Sequence, residues 1–338
     1  MKGWLDIARL CMVLSLFALE AKDTKIVVAQ DGSGAFRSIQ AALTSLSDSS
    51  ATPRLLFIKR GIYREKIYIE KHNIILQGES AAEVVITTAV AREEWRCKHL
   101  DDWGVATINI DGNDITLQNL TVINSYGFEV HTDRQVPCLQ DTLTSKNITK
   151  TGHQMAVRTM SATRFKALNC TFRSYAGDTM SPWNVHNGMF YFKDCTLEGG
   201  VDLYCPRGWA YAYNCKFIVT RGDAVLWHDG SRHEDSKTVL SHCSFEGYDG
   251  FKLGRYHRDA QFYLLHCSFA ENMADAPISL VPTSNVILWG HRTYYYNCHR
   301  KGGDFPWFKD NIATAVSAVN PEEMDVKWVF GEQWNPEK

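Results

Sequence analysis

The sequence predicts an all-β fold, a solenoid of stacked parallel strands, and three observations carry that prediction. A short phrase recurs as Asn169-Cys170-Thr171-Phe172, Asp194-Cys195-Thr196-Leu197, Asn214-Cys215-Lys216-Phe217, His242-Cys243-Ser244-Phe245, His266-Cys267-Ser268-Phe269 and Asn297-Cys298-His299. Its cysteines stand 25, 20, 28, 24 and 31 residues apart, the spacing of one supersecondary unit repeated along a solenoid. Most phrases alternate polar and apolar residues after an aromatic or β-branched lead, as in Phe190-Tyr191-Phe192 and Phe262-Tyr263-Leu264, which is the two-residue period of strands.

The elements follow in chain order. Leu10 to Leu19 is apolar but about half the length of a membrane span. With Lys2 and Arg9 before it, residues 1–21 read as a signal peptide. Residues 22–338 then form a single domain, expected to be secreted or periplasmic and to act as a monomer. Ile39, Ala42, Leu43 and Leu46 fall at helical spacing, so an N-terminal capping helix is expected over the open first coil. Asn73 to Gly78 and Ile115 to Val122 share the texture of the later strands, which starts the array near residue 55. Residues from about Asn320 read as the opposite cap.

The cysteines repeat in one phase of the coil, so each is expected to stack on the one below as a small buried hydrophobe, reduced rather than paired. No Cys-x-x-Cys occurs, and no metal site is expected. With 36 basic and 38 acidic side chains the net charge is -2, which gives no electrostatic reason to expect nucleic acid or an anionic membrane as partner.

Parallel stacking turns sequence spacing into spatial adjacency, because rungs lie about 4.8 Å apart. Asp178 falls eight residues after Cys170 and Asp202 seven after Cys195, so the two carboxylates are expected on adjacent rungs at roughly 5 Å. Arg255, in Leu253-Gly254-Arg255, lies two coils on and approaches the same wall. Two carboxylates that close do not both ionise freely. The one beside arginine is expected to keep its charge and the other to hold a proton, an arrangement suited to ester or glycoside cleavage. Against that, Asp223 and Asp275 each fall eight residues after a ladder cysteine, so aspartate can simply favour the turn that follows each strand.

A second set of motifs runs through the chain: Val27-Val28-Ala29-Gln30-Asp31-Gly32-Ser33-Gly34 with Phe36 to Ala42, Gly61-Ile62-Tyr63-Arg64-Glu65, and Asn119 to Asn124. It continues in order through Gln154-Met155-Ala156-Val157-Arg158, Gly177-Asp178-Thr179-Met180, Val201-Asp202-Leu203-Tyr204 and Leu253-Gly254-Arg255. In these motifs the chain resembles the pectin methylesterase family, and the resemblance covers nearly the whole chain after residue 25. It implies a right-handed parallel β-helix acting on methyl-esterified polygalacturonate, without a cofactor. Position by position it implies Asp202 as nucleophile, Asp178 as acid and then base, Arg255 as the cation that keeps Asp202 ionised, and Gln154 as oxyanion donor.

The departures from that pattern are informative. Gly177 stands where the family carries a glutamine, which removes one oxyanion donor, and His153 or His186 is a candidate substitute. Gln140-Asp141-Thr142-Leu143 repeats the family string but precedes Gln154, the wrong order for the acid aspartate. Tyr256-His257 follow Arg255 where the family has proline and tryptophan, which makes them candidate sugar contacts. Among tryptophans 183, 209, 227, 289 and 307, Trp183 and Trp209 follow the two aspartates and are expected to line the same groove. The leading expectation is thus a pectin demethylating esterase. A retaining glycosidase or lyase, a thioesterase and a non-catalytic pectin-binding solenoid are the alternatives.

Overall fold

The computed structural model describes residues 25–138, 144–222, 224–228, 230–315 and 319–338. The expected signal peptide and the Gln140 to Leu143 string lie outside the described residues. The chain coils into a parallel β-helix with three walls. One is a ten-stranded sheet running from Ile26–Val28 to Arg292–Tyr296, and a second has nine strands from Gly61–Tyr63 to His299–Arg300. The third begins with Ile67–Ile69, Ala106–Ile110, Met155–Thr159 and Met180–Ser181. It resumes as Ala224–His228, Lys252–Tyr256 and Ser279–Leu280. Tyr204 joins the two halves through single bridges to Met180 and Leu226.

The recurrent phrase is the corner between the ten- and nine-stranded walls. Asn169, Asp194, Asn214, His242, His266 and Asn297 all take positive φ, between 48° and 56°. Asn, Asp and His tolerate that left-handed conformation better than other side-chain-bearing residues. The corner residues also pair vertically: Asn169 donates to Asn119 at 2.9 Å, Asn214 donates to Asp194 at 2.6 Å, and the His242 and His266 rings stack at 4.7 Å. The next residue, cysteine, turns inward, and all six ladder cysteines are free and buried within the core cluster. Two positions later Phe172, Leu197, Phe217, Phe245 and Phe269 stack in register, with Phe217 and Phe245 rings 4.9 Å apart.

Helix α1, Ile39–Ser45, buries Ile39, Ala42 and Leu43. Glu65 explains why the Gly61 to Glu65 segment accompanies it. Its carboxylate accepts from Ile39 N at 3.1 Å, Gln40 N at 3.0 Å and Ser38 Oγ at 2.7 Å, satisfying the open donors of the helix start.

Two features differ from the sequence reading. The C-terminal segment does not close the last coil. Its helix Val326–Phe330 lies on the outer face of the ten-stranded sheet, with Met189, Tyr191, Tyr211, Val239 and Tyr263 beneath. Phe308 instead packs into the coil end against Phe269 and Tyr295. Outside the ladder, Cys97 and Cys138 form a disulfide across 41 residues. It fastens α2, Arg92–Arg96, to the hairpin Arg134–Pro137 and Ser145–Ile148, neither of which belongs to the repeat.

Candidate active site

The third wall carries the site. Met180 is bridged to Tyr204, and Asp178 and Asp202 each stand two residues before their bridged partner. The two carboxylates therefore occupy equivalent positions on successive rungs. Each residue is 8% exposed, and both line one cleft of about 420 Å³. Asp202 takes φ 52°, its N–H bonds Ala224 O at 2.7 Å, and the Cys205 thiol donates to its carbonyl at 2.8 Å.

Arg255 reaches Asp202 from the strand two rungs on. Its Nε meets Oδ1 at 3.0 Å and its Nη2 meets Oδ2 at 2.6 Å, the fork geometry that guanidinium and carboxylate share. Trp227, paired with Arg255 across the sheet, holds its ring 5.0 Å from that guanidinium. Burial nevertheless outweighs the arginine. The Asp202 carboxyl is pushed up to about 6 by loss of solvent, Arg255 pulls it down, and the neighbouring Asp178 charge adds to the rise. Arginine thus fixes the carboxylate in place without holding it in the ordinary acid range. At pH 7 the ionised form still prevails, by roughly tenfold for a group titrating near 6.

Four guanidiniums, Arg92, Arg158, Arg207 and Arg255, line the cleft with three carboxylates, Asp102, Asp178 and Asp202. Arg92 grips Asp102 through Nε at 3.1 Å and Nη2 at 2.9 Å. Arg158 and Arg207 both donate to Ser181 Oγ, at 3.0 and 3.2 Å, and lie 4.5 and 4.1 Å from the Trp183 ring. Burial drives Arg158 down to about 10, with Arg207 adding to the fall, so it remains a cation at neutral pH. His153 also lines the cleft. Its Nδ1 lies 3.0 Å from Glu93 Oε1, and that hydrogen bond raises its pKa. Four guanidiniums against three carboxylates leave the cleft lining with a positive excess, the charge that suits an anionic ligand.

Of the residues expected from sequence, Asp178, Asp202, Arg255 and Trp183 come together here. Gln154 does not line the cleft. It is fully buried, its amide donates to the Lys150 and Gly152 carbonyls at 2.5 and 3.1 Å, and its oxygen accepts from Gly127 N at 2.9 Å. Every part of that amide is engaged by backbone, so it braces a loop. Tyr256 points into the core at 4% exposure, its hydroxyl 2.6 Å from His291 Nδ1. Strand alternation requires this: the neighbour of a cleft-facing Arg255 faces the other way. His257 lies beyond the strand, edge-on to Trp227 at 4.7 Å and outside the cleft lining. Trp209 belongs to a different cavity, beside His233 and the C-terminal helix.

Sequence reasoning passed over Arg92, Asp102 and Arg207 and did not favour Trp227. Arg92 and Asp102 stand in an excursion between Val84–Thr88 and Ala106–Ile110 that has no repeat to place it. Trp227 had a signal, since Trp227 and Arg255 are 28 residues apart, the length of a coil. At Gly177 an added Cβ would stand 1.9 Å from the Val201 carbonyl oxygen, so no side chain fits where the family has glutamine.

A family model described as Pectinesterase matches residues 25–227. A Petunia integrifolia pectinesterase is 28% identical over 196 residues, covering 57% of this chain and 44% of that protein. An Arabidopsis thaliana pectinesterase is 28% identical over 328 residues, covering 89% of this chain and 94% of that one. The chain spans less than half the length of most of the curated relatives it matches. Among solved structures, a pectin methylesterase from Aspergillus niger superposes with a TM-score of 0.70 at 20% identity, covering 93% of this chain and 96% of that one. One from Erwinia chrysanthemi gives 0.69 at 19% identity, covering 93% and 98%. These likenesses establish a shared fold.

Proposed function

The chain belongs to the pectinesterase family, and from that premise we propose that it is a carboxylic ester hydrolase removing methyl esters from polygalacturonate. The observation that carries the reading is the Asp202 carboxylate, gripped by Arg255 at 2.6 and 3.0 Å, in register with Asp178 on the next rung. Asp202 attacks the ester carbonyl carbon, and the carbonyl π pair moves onto oxygen. Collapse of that oxyanion restores the carbonyl and breaks the bond to methoxide, which takes a proton from Asp178 and leaves as methanol. Water, giving its proton back to Asp178, then attacks the acyl carbon of the mixed anhydride and releases galacturonate and the Asp202 carboxylate. Besides the ester and water, these steps draw on the side chains of Asp202 and Asp178.

The cation-rich cleft supports a polyanionic substrate. The Cys97–Cys138 disulfide supports export to an oxidising compartment. A single domain from residue 22, acting as a monomer, completes the reading. The test is methanol release set against new reducing ends on methylated polygalacturonate. Methanol without reducing ends is expected. Reducing ends without methanol would make it a glycosidase or lyase; binding with neither product would make it a non-catalytic solenoid, and cleavage of an acyl thioester alone a thioesterase.

A further inference from the structure

We propose that His153, held by Glu93, is a further catalytic residue, donating from Nε2 to the oxyanion that forms when Asp202 attacks. The inference rests on the ester-hydrolase reading and adds to it a donor for the oxyanion.

Acyl transfer places a full negative charge on the former carbonyl oxygen, and a preorganised N–H is the usual means of stabilising it. Several other donors around the cleft are committed elsewhere. Arg255 uses Nε and Nη2 on Asp202, Arg92 uses the same pair on Asp102, and the Gln154 amide is held by backbone. His153 differs. Its Nδ1 is 3.0 Å from Glu93 Oε1, and a carboxylate only accepts, so Nδ1 carries hydrogen. In the imidazolium Nε2 carries hydrogen too, and Nε2 has no hydrogen-bond partner among the described residues.

The dyad is built into the fold. Glu93 sits on α2, whose Arg92 N–H bonds the His153 carbonyl at 3.0 Å, and the Cys97–Cys138 disulfide anchors the far end of that helix. Gly152 leaves room for the carboxylate, since a Cβ there would stand 2.7 Å from Glu93 Oε2. Glu93 and Arg92 face His153 from α2, and Asp178 and Asp202 from the third wall. Glu93 favours the imidazolium, and the imidazolium charge lowers the Asp202 carboxyl. His153 transfers no proton in this scheme; it donates a hydrogen bond, and the proton for methanol comes from Asp178. Glu93 is a positioning residue that fixes the tautomer and the charge.

The experiment is methanol release from methylated pectin across pH by wild type, His153→Ala, His153→Gln and Glu93→Gln, with thermal unfolding as the folding control. His153→Ala is expected to lower kcat about 100-fold or more with KM changed less than threefold. His153→Gln restores a neutral donor, so it should recover part of that loss and abolish the alkaline decline that imidazolium deprotonation imposes. Glu93→Gln should fold and move that decline to lower pH. A His153→Ala enzyme within threefold of wild-type kcat, or a Glu93→Gln profile that coincides with wild type, would overturn the assignment. If Asp202→Ala abolishes methanol release while His153→Ala does not, the assignment fails and the esterase reading stands; wild type without methanol release overturns both.

Discussion

Asp202 stands under two opposed influences, and their balance makes a sharp expectation. Solvent loss pushes its carboxyl up to about 6 and the Arg255 fork pulls it down. As nucleophile it works only when ionised, so kcat/KM should fall on acidification through about pH 6 with the slope of one proton. Arg255→Gln removes the opposing cation and should carry that acid limb to higher pH; Arg255→Lys, keeping charge without the fork, should move it less. A limb that stays in place in Arg255→Gln would show that the guanidinium does not govern Asp202. The sign for stability runs the other way from activity. A carboxyl raised above its unfolded value favours the folded state at low pH, and that contribution disappears as pH climbs from about 4 to about 6. Replacing it by asparagine removes a disfavoured buried charge, so Asp202→Asn is expected to keep or raise the melting temperature at pH 7, by up to about 3 kcal/mol in free energy. A large drop in melting temperature would show that the ion pair stabilises the fold.

The wall strands fix the acids, and the excursion carrying α2 fixes the groups that face them. Arg92 and Glu93 both ride on that short helix, and its one covalent tether is the Cys97–Cys138 bond. Closing a 41-residue loop is worth about 4 kcal/mol in chain-entropy terms. The excursion can open without the coils unwinding, so the loss should appear locally. Cys97→Ser with Cys138→Ser is expected to speed amide hydrogen exchange over residues 92–97 and to lower kcat, while exchange in the third-wall strands stays slow. Unchanged exchange over α2 would mean that packing of Tyr126, Val136 and Ile148 holds it without the bond.

The solenoid as a whole was legible because its corner is written in residues: a left-handed Asn, Asp or His, then an inward cysteine, then a stacked phenylalanine. The same period turned the spacing of Asp178, Asp202 and Arg255 into one constellation. What stayed illegible had physical causes. A matching string does not tell which way a side chain points, and Gln154 turned toward backbone carbonyls. Trp209 follows Arg207 across a corner, so it left the cleft for the outer face of the next sheet. The disulfide lay where no repeat reaches. At this level the ladder cysteines should resist a thiol reagent until the coils unfold, since each is at most 4% exposed. Peptide mapping that finds them labelled at the rate of an unfolded chain would contradict the stacked core.

The most direct check on the whole account is methanol release by Asp202→Asn against wild type on one methylated polygalacturonate, with thermal unfolding recorded beside it. A loss of at least about 1000-fold with the fold intact is expected. Release within tenfold of wild type by a folded Asp202→Asn protein would contradict it.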